Sequence, residues 1–172
     1  SFSILATSPN PLPTRSAVWA SEAKVIDELA ANLGGNPRVV RANSLCLSAD
    51  VSAGFDPLYP EVYEKRNSSL LSCGVAMAKY TGSRGKGSTN DAGAEFVGKV
   101  RAMFDRDNVL WQTAELGRVD QGGGGTVAKY IANENIDTVD IGVPVLSMHA
   151  PFEVVSKADV YSAHKAFSAF CK

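Results

Sequence analysis

Short apolar segments typical of β-strands alternate along this chain with longer segments of helical periodicity. The segments expected to form helices are 15–33, 91–105, 126–134 and 151–170, and those expected to form strands are 73–80, 109–116 and 136–143. The helical segments repeat apolar residues every three or four positions, which gives each helix one face to bury. This alternation predicts an α/β domain of layered type, in which helices cover a largely buried sheet.

The segment 38–49 lies between the first helical segment and a long irregular stretch. It is β-branched and apolar at its ends, which predicts one or two further strands that finish at Asp50. The chain has 172 residues, of which 45% are apolar, so it is long enough to bury a core of its own. We therefore expect a single α/β domain over residues 1–172.

The charge and the cysteines narrow the class of partner. The formal net charge is -1, which gives the chain no overall attraction to nucleic acid or to a membrane surface, and we expect neither as a partner. No apolar run approaches the roughly 20 residues of a membrane helix. The three cysteines are widely spaced and odd in number, which favours a reducing compartment, and we expect the cytoplasm.

Four consecutive glycines precede Thr126 and a predicted helix. A strand, a glycine-rich turn and a helix N-terminus together form a general anion-binding arrangement. The Walker pattern requires a lysine directly before the threonine, where this chain has Gly125, and a run of glycines meets the dinucleotide pattern only trivially. Three interpretations stay open: a loop that needs positive φ angles and close backbone packing, a loop that contacts substrate, and a nucleotide site.

Two potential metal ligands lie at expected strand ends. Asp50 ends one strand, and His149 lies just beyond the carboxyl end of another. Ligands bind at this edge of α/β sheets, and carboxylate and imidazole are both donors that zinc accepts. One aspartate and one histidine supply about half of a metal site. The other histidine, His164, lies inside the last predicted helix, where a structural role is expected.

Four stretches, taken together and in this order, resemble the carboxy-terminal part of the M18 metalloaminopeptidases. They are LSADVSAGFDPLYPEVY, GVAMAKYTGSRGKGSTNDAGAEFVGKVRAMF, WQTAELGRVDQGGGGTVAKYIA and DIGVPVLSMHAPFEVVSKADVYSAHKAF. The resemblance implies a layered helix-sheet-helix domain of the zinc-exopeptidase type with a mixed sheet. It also implies that the chain is the C-terminal portion of a larger catalytic domain, beginning partway through its parent enzyme.

The resemblance assigns roles to individual positions. It implies that Asp50 of the SAD stretch and His149 of the SMH stretch are ligands of two zinc ions. The residues that it implies in substrate binding are Lys79, Gly123, Gly124, Gly125 and Thr126. The implied activity is hydrolysis of N-terminal residues from peptides, by an enzyme that assembles as a homo-oligomer, usually a dodecamer.

Two departures from the family pattern limit these implications. The family's first histidine ligand, its bridging aspartate and its Glu-Glu pair lie upstream of the matching region, so the general base is expected outside this chain. Aspartyl-type members also carry a histidine three residues after the metal-binding aspartate, where this chain has Ala53. Acidic specificity is therefore not implied. The alternative is that this polypeptide is a catalytically inactive scaffold or assembly fragment of such an enzyme.

Overall fold

The structure is a computed structural model. It describes residues 3–7, 15–79, 81–82, 84, 87, 90–118 and 120–172, with the backbone alone for residues 3–7 and 15–23. Within these ranges six strands form one sheet. They are Ser3–Thr7 (β1), Leu45–Ala53 (β2), Val75–Ala78 (β3), Trp111–Thr113 (β4), Asp137–Leu146 (β5) and Val154–Val155 (β6).

The sheet is mixed, as expected, and β5 lies at its centre. The strand order is β1-β2-β5-β3-β4, and β6 pairs with the end of β5. Strands β1, β2 and β5 run parallel to one another, and the β2–β5 register places Asp50 opposite Gly142. Strand β3 runs antiparallel to β5 and parallel to β4. The long run of apolar residues in β5 is explained by its position, because a central strand is buried on both faces.

Helices cover both faces of this sheet. They are Arg15–Asn32 (α1), Pro37–Ala42 (α2), Ala94–Arg106 (α3), Ala128–Ala132 (α4) and Lys157–Phe170 (α5), with a short 3-10 helix at Pro60–Val62. Helices α3 and α5 bury their apolar faces against β2, β3 and β5 and form the main core. On the opposite face, Ile131 of α4 packs with Cys46 and Ile136. The prediction of a sheet between helical layers is confirmed.

The prediction of one or two strands over 38–49 is wrong for the first half of that segment. Residues Pro37–Ala42 form α2, and only Leu45 onward is a strand. Asn36 caps this helix, because its side chain accepts a hydrogen bond from the Arg38 amide at 3.0 Å, and Pro37 fits the first helical position. These local signals outweigh the β-branched side chains that follow. Strand β2 also continues past Asp50 to Ala53.

The ends of several other elements differ from the predicted ones. The last helix begins at Lys157 rather than at residue 151, because Val154–Val155 pair with β5 as β6. Strand β3 ends at Ala78, and the last residue of the predicted strand, Tyr80, lies outside the described residues. Strand β1 was not predicted. None of the described helices is both long enough and apolar enough to cross a membrane.

Candidate metal and substrate site

Asp50 lies inside β2 with its side chain exposed. Its register partner on β5 is Gly142, so no side chain of β5 stands directly beside it. The two strands approach closely here, and a Cβ at Gly142 would lie 2.9 Å from the Ser52 amide nitrogen. Asp50 Oδ1 accepts a hydrogen bond from the Val51 amide at 2.8 Å. The remaining lone pairs of this carboxylate face solvent, where they could bind a metal.

His149 lies in the loop between β5 and β6, three residues beyond the carboxyl end of β5. Its φ is +71°, and that of Ser147 is +57°, so two non-glycine residues of this loop occupy the left-handed region. The His149 amide donates to Glu153 Oε1 at 2.6 Å, which closes the loop, and the imidazole side is exposed. Backbone strain of this kind is concentrated at functional sites.

The donor types fit zinc, but their number is incomplete. A zinc site takes three or four protein ligands, typically from histidine, cysteine or carboxylate side chains. No group of three or more His, Cys, Asp and Glu side chains that could hold a metal ion occurs among the described residues. Asp50 in β2 and His149 in the loop that follows the neighbouring strand β5 could therefore supply part of a zinc shell. The remaining ligands would have to come from outside the described part of the chain.

A buried carboxylate that sequence reasoning missed lies on the Asp50 face of the sheet. Asp140, on β5, is only 6% exposed, and its Oδ2 accepts a hydrogen bond from Thr126 Oγ1 at 3.1 Å. Burial raises the pKa of Asp140 from 3.8 to about 6, and the charge of Asp50 adds to this. The Thr126 and Ser48 hydroxyls partly lower this pKa, although the Ser48 geometry falls short of a hydrogen bond. An aspartate inside an apolar central strand was the available sequence signal.

Several buried oxygen atoms lie near Asp50 on the same face of the sheet. Ser48 Oγ, Ser52 Oγ and Asp140 Oδ1 are all buried, and none of them has a partner among the described residues. Alternation along β2 and its register with β5 place these side chains on one face of the sheet. Because buried polar groups are nearly always satisfied in native proteins, this face is suited to a polar partner such as a ligand, water or further protein.

The glycine loop packs tightly against a neighbouring loop. Gly123 has a φ of +100°, and a Cβ there would collide with the carbonyl oxygen of Gly82. The Arg84 amide donates to the Gly122 carbonyl at 3.1 Å. Around Gly124, by contrast, a Cβ would meet no atom of the described residues within 4 Å. The need for glycine at position 123 is therefore explained by loop–loop packing, whereas no described residue requires glycine at position 124.

Lys79 lies apart from these groups. Its ammonium pairs with Asp91 Oδ1 at 2.5 Å, and its side chain lies on the α3 face of the sheet, opposite to Asp50. There it lines a cavity of about 210 Å³ together with Arg101 and Glu115. The structure thus groups Thr126 with Asp140 on the Asp50 face and places His149 on the adjoining loop. It does not bring Lys79 to the same face.

Comparison with known proteins identifies the family. The profile of the aminopeptidase I zinc metalloprotease (M18) family matches residues 23–171. The chain belongs to the M18 family. A probable M18 family aminopeptidase 1 from Clostridium acetobutylicum is 54% identical over 128 residues, and this match covers 74% of the present M18 chain but 28% of the relative. The chain therefore spans about a quarter of the length of that curated relative.

Solved structures of the same family share the fold. The crystal structure of the M18 aminopeptidase from Thermotoga maritima superposes with a TM-score of 0.84 at 42% identity, covering 88% of this M18 chain and 35% of that one. The structure of the mApe1 dodecamer from Saccharomyces cerevisiae has the same fold, with a TM-score of 0.61 at 24% identity over 78% of this chain and 28% of that one. The fold described above is thus one segment of the M18 architecture.

Proposed function

We propose that this M18 chain carries part of the active site of a zinc-dependent aminopeptidase that removes N-terminal residues from peptides. One observation carries the proposal. The zinc-type donor Asp50 lies in β2, the zinc-type donor His149 lies in the loop that follows the paired strand β5, and a row of buried polar oxygens adjoins Asp50 on the same face of the sheet. A face of this kind serves a polar ligand better than it serves a structural contact.

The proposed roles divide between metal binding and substrate binding. Asp50 and His149 would each hold one of two zinc ions. Zinc, when bound, supplies Lewis-acid polarisation of a peptide carbonyl and acidifies a coordinated water. The backbone amides of Gly123, Gly124 and Gly125, together with Thr126, would contact the substrate. The general base, a glutamate, would lie outside this chain.

Lys79 belongs to a separable part of the proposal. Lys79 and Arg101 give positive charge to the cavity on the α3 face, which also has one carboxylate, Glu115. A substrate carboxylate entering this cavity would meet both cations. Because the Lys79 ammonium is held by Asp91, such a group would have to compete with an existing ion pair. If Lys79 does not contact the substrate, the proposed metal-binding roles of Asp50 and His149 are unaffected.

The assembly and location of the enzyme are proposed on the same basis. We infer a homo-oligomer, up to a dodecamer in size, because a neighbour of the same fold is described as a dodecamer. We place the enzyme in the cytoplasm because Cys73 and Cys171 are exposed thiols, which persist in reducing compartments.

The test uses the full-length protein. We expect it to contain about two zinc ions per chain, to cleave amino-acid p-nitroanilides, to lose activity with a chelator and to regain it with added zinc. A full-length protein that binds no zinc and cleaves no peptide with a free N-terminus would instead support the scaffold alternative. Tight binding of ATP or NAD would revive the nucleotide interpretation of the glycine loop.

A further inference from the structure

Burying the Asp140 carboxylate disfavours folding, and this residue lies in the central strand of the sheet. It occupies the central strand, opposite Ser48 of β2 and Ala78 of β3, and is almost fully buried. A carboxylate in such a place disfavours folding unless other groups compensate for its lost hydration. The only hydrogen bond that its carboxylate accepts from a described residue comes from the Thr126 hydroxyl. The compensation is incomplete, which indicates a purpose other than stability.

Thr126 directly follows the glycine run, so a contact that fixes Thr126 also fixes one end of the glycine loop. Glycine has the greatest backbone freedom of any residue, so four in a row cannot hold a fixed path by themselves. The loop is held at its start, where the Gly122 amide donates to the Arg118 carbonyl at 2.7 Å and the Gly122 carbonyl accepts from Arg84. Its far end is held by the bond from Thr126 to Asp140, which is strengthened by the carboxylate charge.

This anchor adjoins the candidate metal ligand. Asp140 and Asp50 lie on the same face of adjoining strands, close enough for their charges to interact. Asp140 Oδ1 and Ser48 Oγ are buried there without partners among the described residues. The position of the loop is thus fixed relative to Asp50 through the rigid centre of the sheet. Between the hydrogen bonds at Gly122 and at Thr126, the Cα of Gly124 has no described residue packed against it.

We propose that Asp140 is a positioning residue, which fixes Thr126 and the preceding glycines beside Asp50 so that the loop meets the peptide in one conformation. This inference rests on the proposed aminopeptidase function. Asp140 itself does not contact the peptide and takes no part in the bond-breaking step. Its role is to reduce the number of loop conformations that the substrate must select, which favours substrate binding.

The experiment compares four single variants of the full-length protein. Thr126→Val removes the hydroxyl at constant shape, and Thr126→Ser retains it. Asp140→Asn keeps an acceptor oxygen and so serves as the conservative variant. Thr138→Val is the matched control, because it removes a buried hydroxyl of the same strand that bonds to the Ile136 carbonyl, away from the loop.

The first readout is amide hydrogen exchange of residues 117–127, with quench times from milliseconds. Thr126→Val is expected to speed exchange in this segment about tenfold, the equivalent of one lost hydrogen bond. The Thr126→Ser, Asp140→Asn and Thr138→Val proteins should stay within about threefold of the wild type. Unchanged exchange in Thr126→Val would overturn the proposal. This readout requires no peptidase activity, so it stands even if the proposed function fails.

The second readout separates positioning from a structural role. Thr126→Val should raise KM for a peptide substrate about tenfold while kcat changes less than about threefold. The single variants Thr126→Ser and Asp140→Asn should keep the KM of the wild type. Faster exchange with an unchanged KM would mean that the anchor serves the fold alone, and would overturn the proposal. Absence of activity in the wild-type protein would contradict the proposed function instead.

Discussion

At the scale of the residue, the glycine run divides into positions with different requirements. Gly123 combines a positive φ with contact against the Gly82 carbonyl, so its glycine is dictated by the fold. Gly124 has no neighbour among the described residues within 4 Å of a prospective Cβ, so the described part of the fold does not require glycine there. A glycine that the fold does not need is a candidate for substrate contact, where a side chain would block close approach.

Alanine at these two positions should therefore have different effects. Gly123→Ala is expected to destabilise the protein by more than about 1 kcal/mol, because of both the φ angle and the collision. Gly124→Ala should leave the unfolding midpoint within the equivalent of about 0.5 kcal/mol, yet raise KM severalfold. Thermal unfolding and steady-state kinetics of the two variants check this. An unchanged KM in Gly124→Ala would show that the glycine loop does not contact the substrate at this position.

Asp140 makes a pH-dependent contribution whose sign follows from its shift. The pKa is about 6 in the folded state against 3.8 for the ordinary carboxyl, so the native state holds the proton to higher pH. The free energy of unfolding therefore falls as pH rises from about 3.8 to 6, by at most about 3 kcal/mol. Above about pH 6 this loss of stability is complete. In chelator, the stability difference between Asp140→Asn and wild type should grow from pH 4 to 7. A pH-independent difference would contradict the shift.

At the scale of the element, α5 is fixed to the sheet through a buried side chain at its first turn. Asp159 is fully buried, and its two carboxylate oxygens accept from the Ser72 and Gly74 amides at 2.7 Å each. Both donors belong to the turn before β3, where Ser72 and Gly74 have positive φ angles. One side chain therefore sets both the start of the helix and the path into the strand.

Replacing Asp159 should consequently unfold more than one element. Asp159→Ala leaves two backbone amides unsatisfied and is expected to cost about 2–4 kcal/mol, with Asp159→Asn intermediate because it keeps one acceptor. Asp137→Ala, at an exposed position, serves as the control and should change stability by less than about 0.5 kcal/mol. Denaturant unfolding measures these differences. Equal stability of the Asp159→Ala protein and the control would show that the Asp159 hydrogen bonds do not hold α5 to the turn before β3.

Elements with strong periodicity could be predicted from sequence, and those governed by local caps or long-range pairing could not. Helix α3 was predicted because Phe96, Val100 and Phe104 recur on one buried face. Helix α1 matches its predicted span to within one residue, and Gly34, with a φ of +75°, follows its end. Helix α2 was missed because its β-branched valines resemble a strand, while the deciding signals were the cap at Asn36 and Pro37. Strand β6 forms only by pairing with β5, which no local pattern reveals.

At the scale of the whole molecule, the site depends on strand order. The family resemblance indicated Asp50 and His149 separately, and the β2–β5 pairing places Asp50 on the strand beside the one that leads into the His149 loop, across about a hundred residues of sequence. Sequence reasoning could not place Lys79 on the opposite face, because that depends on the side-chain alternation and pairing of β3. It also missed Asp140, whose importance arises only from contact with Thr126.

The central claim is that Asp50 and His149 hold zinc, and zinc content tests it most directly. In the full-length protein, the His149→Ala and Asp50→Ala variants should each lose about one zinc ion per chain. After zinc is removed from all the proteins, each variant should have the same unfolding midpoint as the wild type. His164→Ala, which replaces the other histidine of this chain at an exposed position on α5, should retain all the metal. Wild-type zinc content in both the His149→Ala and Asp50→Ala proteins would contradict the account.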